Sequence, residues 1–267
     1  MYRLYLFVCY LFFFSTTLFA QEVAPWFGNV YEFQPTLSYQ HLAGGKVAGR
    51  RHLNGDLVKA SLLFTPHPDW STQLELYAGR TVDHRASLDA GLFTVRYSLS
   101  NDIVGDFVSV TSGLSLAQNS THFLHDLLFV RHGRHELEAH VAIGKEFELD
   151  PTHYIHLWAA AFYGIANHSA PWIRSEFHID TQIRDTHLLG LFLQTDKGCG
   201  HHSLHRPHHF RGYSHIHYNL VDVGATYQYS LIGYGSIFTT LKKRLHARSC
   251  PKELISIEVG LEIPFSF

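Results

Sequence analysis

The stretch from Leu254 to Phe267 reads LISIEVGLEIPFSF. Ile255, Ile257, Val259, Leu261, Ile263, Phe265 and Phe267 fall on one side, and Leu254, Ser256, Glu258, Gly260, Glu262, Pro264 and Ser266 on the other. A period of two is that of a β-strand with one apolar and one largely polar face. The same alternation recurs upstream. Leu137, Ala139, Val141 and Ile143 oppose Glu136, Glu138, His140 and Gly144, and Val221, Val223, Ala225, Tyr227 and Tyr229 oppose Asp222, Gly224, Thr226 and Gln228. The pattern predicts twelve strands, at 31–42, 56–65, 70–81, 88–99, 106–116, 135–147, 153–165, 171–181, 187–195, 215–229, 234–245 and 254–267. Strands 56–65 and 153–165 are apolar and polar on both faces, so periodicity does not orient them. Within 117–134, Ser120 followed by Phe123, Leu124, Leu127 and Leu128 has the spacing of a capped short helix rather than a thirteenth strand. No internal repeat or second domain is visible.

Fourteen residues is long for a soluble strand and suits a tilted membrane-spanning one. The last strand also ends on an aromatic residue. It resembles the C-terminal assembly signal of Gram-negative outer-membrane β-barrel proteins, carried here by Phe265, Phe267 and the apolar face that leads to them. The resemblance implies an all-β fold: a transmembrane antiparallel up-and-down β-barrel of about twelve strands. It also implies the barrel-assembly machinery as a partner that reads the C-terminal strand, and a periplasmic end for that strand. The N-terminus fits an exported chain. Arg3 precedes the apolar run Leu4–Phe14, and a candidate cleavage point follows Ala20, which is the pattern of a cleaved signal peptide. The expected organisation is therefore a signal peptide at 1–20, a periplasmic N-terminal segment at 21–30 and the barrel at 31–267, in the bacterial outer membrane.

With the last strand ending in the periplasm, the short connections 66–69, 100–105, 148–152, 182–186 and 230–233 face that compartment. The connections 43–55, 82–87, 117–134, 166–170, 196–214 and 246–252 face outside and include the three long ones, the asymmetry expected of such barrels. The outside set carries eleven Lys and Arg against three Asp, and the periplasmic set one Arg against five carboxylates. Basic outer loops suit contact with outer-membrane lipid and the phosphates of lipopolysaccharide. Net charge is −2, which gives no footprint for nucleic acid, and no nucleic-acid partner is expected. Cys9 lies in the signal peptide. Cys199 and Cys250 remain, an even pair in an oxidising compartment, and are expected to form one disulfide between the last two outer loops.

The polar faces place Glu32, Glu136, Glu138, Arg174, Glu176, Asp222, Glu258 and Glu262 toward the lumen. So many charges need water or partners. Carboxylates outnumber bases on these faces, so an open lumen would favour cations. The 22 histidines are densest at His201, His202, His205, His208 and His209 in one outer loop. Imidazole suits Zn²⁺, Cu²⁺ or Ni²⁺. No defined metal spacing is present, however, and neither a metal nor a cofactor is expected. Known barrel enzymes pair Ser with His or Asp with His at the outer rim. The spacing matches here are His201 with Ser203, the adjacent His168 and Ser169, His178 with Asp180, and Asp185 with His187, and none sits in a known catalytic context. The resulting expectation is a narrow, weakly cation-preferring channel or a structural surface protein, with no catalytic residues assigned. A lipid-acting hydrolase of the phospholipase or lipid A deacylase type is the alternative.

Overall fold

The chain runs up and down as β1 (Glu32–Val47), β2 (Arg50–His67), β3 (Trp70–Thr81), β4 (Ser87–Ser100), β5 (Ser109–Asn119), β6 (His135–Asp150), β7 (His153–Ala166), β8 (Trp172–Ile183), β9 (His187–Cys199), β10 (His217–Leu231), β11 (Gly235–Arg248) and β12 (Ile255–Glu262), continued by the two-residue β13 (Phe265–Ser266). This is a computed structural model, and it describes residues 23–47, 50–82, 84–184, 186–204, 210–231 and 233–266. Each strand pairs antiparallel with its sequence neighbours, and β12 pairs back on β1 from Thr36↔Glu262 to Ala43↔Ile255. The result is a closed twelve-stranded antiparallel β-barrel. β12 and β13 are one wall strand interrupted at Pro264, which has no N–H to give to the ladder. Ile263 still donates its amide to the Pro35 carbonyl at 3.1 Å.

Alternation builds the wall. Leu189, Leu191 and Leu193 on β9, Ile255, Ile257, Val259 and Leu261 on β12, and Leu114 and Leu116 on β5 all project outward and are exposed. Their in-between neighbours point into the barrel. The two described chain ends lie at one end of the barrel, here the terminal end. Short turns connect the strands there, and 101–108 is the longest of them. Aromatic rings gather on the wall near that end: Phe33 stacks on Phe64 at 4.2 Å and on Phe265 at 5.4 Å, and Trp70 lies 4.9 Å from Tyr97. The opposite, loop end carries 120–134 and 200–216.

The twelve strands occur in the expected order, but several run further toward the loop end. The expected outer loop 43–55 is instead mostly strand. β1 and β2 continue as a long hairpin whose register slips between Leu42 and Gly45 and again before Val47. Gly44 takes φ +79°, a conformation that costs glycine little, and so lets the strand bend there. Leu42, Leu53 and Leu57 are buried against inserted side chains, which holds this hairpin to the barrel. The short helix expected after Ser120 spans Thr121–Leu124, with the Ser120 hydroxyl accepting from the Phe123 amide at 3.2 Å. Beyond it the chain turns inward rather than resting outside.

A charged lumen narrowed from both ends

Two segments enter the barrel. From the loop end, Phe123, Leu127, Leu128 and Phe129 pack against Leu42, Leu53, Leu57, Tyr77 and Leu254. Asp126 is buried and turns its carboxylate to the Leu128 amide at 2.8 Å, satisfying a donor that water cannot reach. Tyr213 locks the segment from the neighbouring loop. Its hydroxyl donates to the Leu127 carbonyl at 2.9 Å, and its amide to the Arg131 carbonyl at 3.0 Å. Burial pushes the Tyr213 phenol well above its ordinary pKa, so it stays a donor.

From the terminal end, residues 23–28 fold into the lumen. They belong to the stretch expected as a periplasmic N-terminal segment. Val23 is fully buried among Ala142, Trp158, Ala160 and Phe162. The Arg96 guanidinium donates to the Ala24 carbonyl at 3.2 Å and lies 5.0 Å from the Phe27 ring. The Trp26 indole donates to Asp102 at 2.9 Å and packs on His156 at 5.0 Å. Gly144 is where Pro25 and Trp26 pass the wall, and a β-carbon there would collide with both. These two insertions explain the strands that periodicity could not orient. Leu57 of β2, and Trp158, Ala160 and Phe162 of β7, are inward-facing apolar residues that meet an inserted segment instead of water.

Between the insertions lies a belt of paired charges. Arg244 makes a two-pronged contact with Asp222 at 2.8 and 3.0 Å, and Lys242 stands 3.9 Å from the same carboxylate. Arg174 donates to Glu138 at 2.8 Å, which also accepts from the Trp172 indole at 3.1 Å. Glu136 takes the His132 amide at 2.6 Å and Arg131 at 3.2 Å. His132 stacks flat on Trp172 at 3.8 Å and meets the Tyr218 hydroxyl at 2.8 Å, and Tyr218 donates on to Asp196 at 2.6 Å. Glu176 accepts from Gln194 at 2.8 Å and faces Arg174 at 3.8 Å. Bidentate, hydrogen-bonded pairing of this kind is what makes buried ions tolerable.

Glu32, Glu258 and Glu262 sit closer to the terminal end. The Asn29 amide donates to Glu32 at 2.6 Å, the Ser38 hydroxyl donates to Glu258 at 2.6 Å, and Glu262 lines the adjoining cavity. The expected outer loops 117–134 and 196–214 contain Arg131 and Asp196, whereas both residues belong to the luminal belt. Asp196 was legible in principle, because Gly190, Phe192, Gln194 and Asp196 continue the inward parity of β9. Arg131 and His132 come from the inserted loop and carry no periodic signal.

Two cavities flank the belt. One of about 140 Å³ lies under Leu128 and Phe129, among His132, Glu136, Glu138, Arg174, Asp196, Asp222 and Arg244. The other, of about 380 Å³, opens toward the terminal end among Trp26, Gln34, Thr36, Gln40, Thr226, Gln228, Glu258 and Glu262. Gln194 and Lys242 line both cavities. Lys242 Nζ donates to Gln194 Oε1 at 3.4 Å, and Gln194 reaches on to Glu176, so a row of three side chains divides the two spaces.

The expected disulfide is not formed. Cys199 is exposed on the outward parity of β9, while Cys250 is buried on the luminal side beside Tyr213 and Tyr218. The barrel wall separates the two thiols. Burial pushes the Cys250 thiol up to about 11. His201 packs on His202 at 4.0 Å and on His215 at 5.9 Å, and His205, His208 and His209 lie outside the described residues. Among the described residues, no three His, Cys, Asp or Glu side chains converge as a metal site would need. The Ser169 hydroxyl lies 2.9 Å from the carbonyls of both Ala170 and Ser214, which share its one proton, and so is not poised on a histidine. His178 stacks on Trp158 at 3.8 Å, and Asp180 accepts the Trp158 indole at 3.0 Å. Phe265 pairs with Phe33 at the closing seam, while residues 1–22, Asp185 and Phe267 lie outside the described residues.

No protein-family model matches the chain, and no curated protein matches it in sequence. Solved structures do share its fold. The COG4313 outer membrane channel from Pseudomonas putida F1 superposes with a TM-score of 0.66 at 12% identity, covering 92% of this chain and 100% of that one. The NanC porin gives 0.57 at 7% identity, over 86% of this chain and 98% of that one. The KdgM porin gives 0.51 at 11% identity, over 86% and 99%. The fold of this chain is that of outer-membrane β-barrel channels and porins.

Proposed function

We propose that the protein is a narrow channel of the bacterial outer membrane for small hydrophilic solutes, with a weak preference for cations. The observation that carries the reading is the open space inside the wall. A cavity of about 380 Å³ lies within a closed barrel whose outward faces are apolar, and amides, hydroxyls and charges line it beside Trp26, Phe192 and Phe238. An apolar exterior of that extent has no place in water and fits hydrocarbon. An interior with polar groups and space left over is what a pore needs. The terminal end, with its short turns, would then face the periplasm and the loop end the outside.

The cation preference rests on the balance of fixed charge. Glu176, Asp180, Glu258 and Glu262 line the larger cavity against Lys59, Arg96 and Lys242. A slight excess of carboxylates lowers the barrier for cations and raises it for anions. Both insertions narrow the path, so the expected conductance is small. Planar-bilayer recording of the purified barrel tests the reading. Discrete current steps and a reversal potential shifted toward the cation potential in a salt gradient are expected. Absence of any conductance across a range of voltages, for protein shown to be inserted, would overturn it.

A further inference from the structure

The outward wall of β9, β10 and β11 carries a basic cluster that the lumen does not use. In register, Lys197 lies opposite Asn219 and Asn219 opposite Arg248, while Leu193 lies opposite Val223 and Val223 opposite Lys243. Lys197, Lys243, His246 and Arg248 are all exposed. Neighbouring strands stand about 4.8 Å apart, so Lys197 and Arg248 are separated by roughly 10 Å across the wall. Other basic side chains have acidic partners: Arg80 with Asp56, Arg174 with Glu138, Arg244 with Asp222. Among the described residues, Lys197, Lys243, His246 and Arg248 form no ion pair, and the outward parity of β8 to β11 holds no carboxylate. Lys243 stands level with Leu193, four residues along β9 from Lys197, and further toward the terminal end the same faces are apolar with Leu191 and Leu241.

Lys197, His246 and Arg248 at the loop end, with Lys243 below them at the border of an apolar surface, are complementary to one kind of molecule, an amphiphile with an anionic head and acyl chains. We infer that this wall binds a phosphorylated glycolipid of the outer leaflet, its phosphates held by Lys197, Lys243 and Arg248 and its acyl chains lying along Leu191, Leu193 and Leu241. Phosphate oxygens accept charge-assisted hydrogen bonds from Lys and Arg, and the low dielectric beside the lipid strengthens each contact. Placed at the loop end, Lys197 and Arg248 would sit at the level of outer-leaflet head groups, with Lys243 deeper, beside the first apolar residues. The inference rests on the membrane placement proposed above, though not on channel activity.

The test is native mass spectrometry of the full barrel in detergent with bis-phosphorylated lipid A as probe, beside lipid A stripped of its phosphates. Lipid A is expected to remain bound, the dephosphorylated form to bind far less, and a Lys197→Gln, Lys243→Gln, Arg248→Gln variant to bind lipid A roughly a hundredfold more weakly. Equal retention of both lipids by the native protein, or undiminished binding by a folded triple variant, would overturn the inference. The two-lipid comparison needs no variant, so it decides the matter even if the triple variant fails to fold. Insertion into vesicles, read separately, distinguishes failure of this inference from failure of the membrane placement.

Discussion

Trp26 Nε1 donates to Asp102 Oδ1 at 2.9 Å across 76 positions of sequence, tying the inserted N-terminal segment to the turn between β4 and β5. Asp102 is also the acceptor for the Ser109 hydroxyl at 2.5 Å and the Glu146 amide at 2.7 Å. The segment is thus latched to a turn at the barrel mouth by one carboxylate.

Loosening that latch should widen the pore. Trp26→Phe keeps the ring but removes a hydrogen bond to a charged acceptor, an interaction worth roughly 1.5–3 kcal/mol. Single-channel conductance is expected to rise, with the barrel still running as a folded species in unheated gels. Unchanged conductance would mean that residues 23–28 do not limit the path.

The latch should also respond to acid. Burial works to raise the Asp102 carboxyl. The Ser109 hydroxyl, the Glu146 amide, the Trp26 indole and Lys145 together outweigh it and hold the group below its ordinary value. A carboxylate depressed in the folded state stabilises the latched form above its unfolded pKa, and that contribution is lost as pH falls through the folded value. Conductance is therefore expected to climb as pH drops below the usual carboxylate range, and Asp102→Asn should remove that response. A pH titration of single-channel current on both proteins checks it.

The divider between the two cavities gives another handle. Gln194→Ala with Lys242→Ala removes the side chains that line both spaces, while Asp222 keeps its two contacts from Arg244. Conductance is expected to increase, and cation preference with it, because a luminal base is gone. Glu258→Gln with Glu262→Gln should do the reverse to selectivity and leave assembly intact. Reversal potentials in a salt gradient report both.

On the outward face the cost should be energetic. Val259 is exposed and lies between Tyr39 and Thr239 in the ladder. Val259→Arg places a charge at lipid depth and is expected to cost about 2–4 kcal/mol if it lies near the midplane, less toward the rims. Reversible denaturant unfolding in vesicles or detergent measures it.

The two thiols should behave as separate groups. Cys199 is expected to take up a maleimide at pH 8. Cys250 should stay unlabelled until the barrel unfolds, because burial blocks access and its thiol is pushed up to about 11. Reduction should leave gel mobility unchanged.

The wall was legible because alternation is a local property. Val221 and Asp222 reveal their faces by spacing alone, and so do Leu137 and Glu138. The plugs were not legible for the opposite reason. Val23 is buried against Trp158 and Phe162, and Leu128 against Leu57 and Tyr77, by contacts between distant parts of the chain. Neither has any period. Their shadow did fall on the sequence, as strands 56–65 and 153–165 with apolar residues on both faces. The disulfide failed because Cys199 takes the outward parity of β9 while Cys250, in the connection after β11, turns inward beside Tyr213 and Tyr218. Both cysteines belong near the loop end, but a shift of one residue along a strand exchanges lumen for lipid.

The interrupted last strand sets where this cylinder is weakest. β10 and β11 are joined through thirteen facing pairs, whereas the last strand meets β11 through eight and β1 through eight, then a gap at Pro264, then two. Sideways parting of the wall, whether under heat or during the final closing step of folding, is expected to begin at the edges of β12, which has the fewest pairs on either side. Deuterium uptake should then run fastest in the amides of Thr36 and its neighbours, beside the gap, and slowest in the middle of β10.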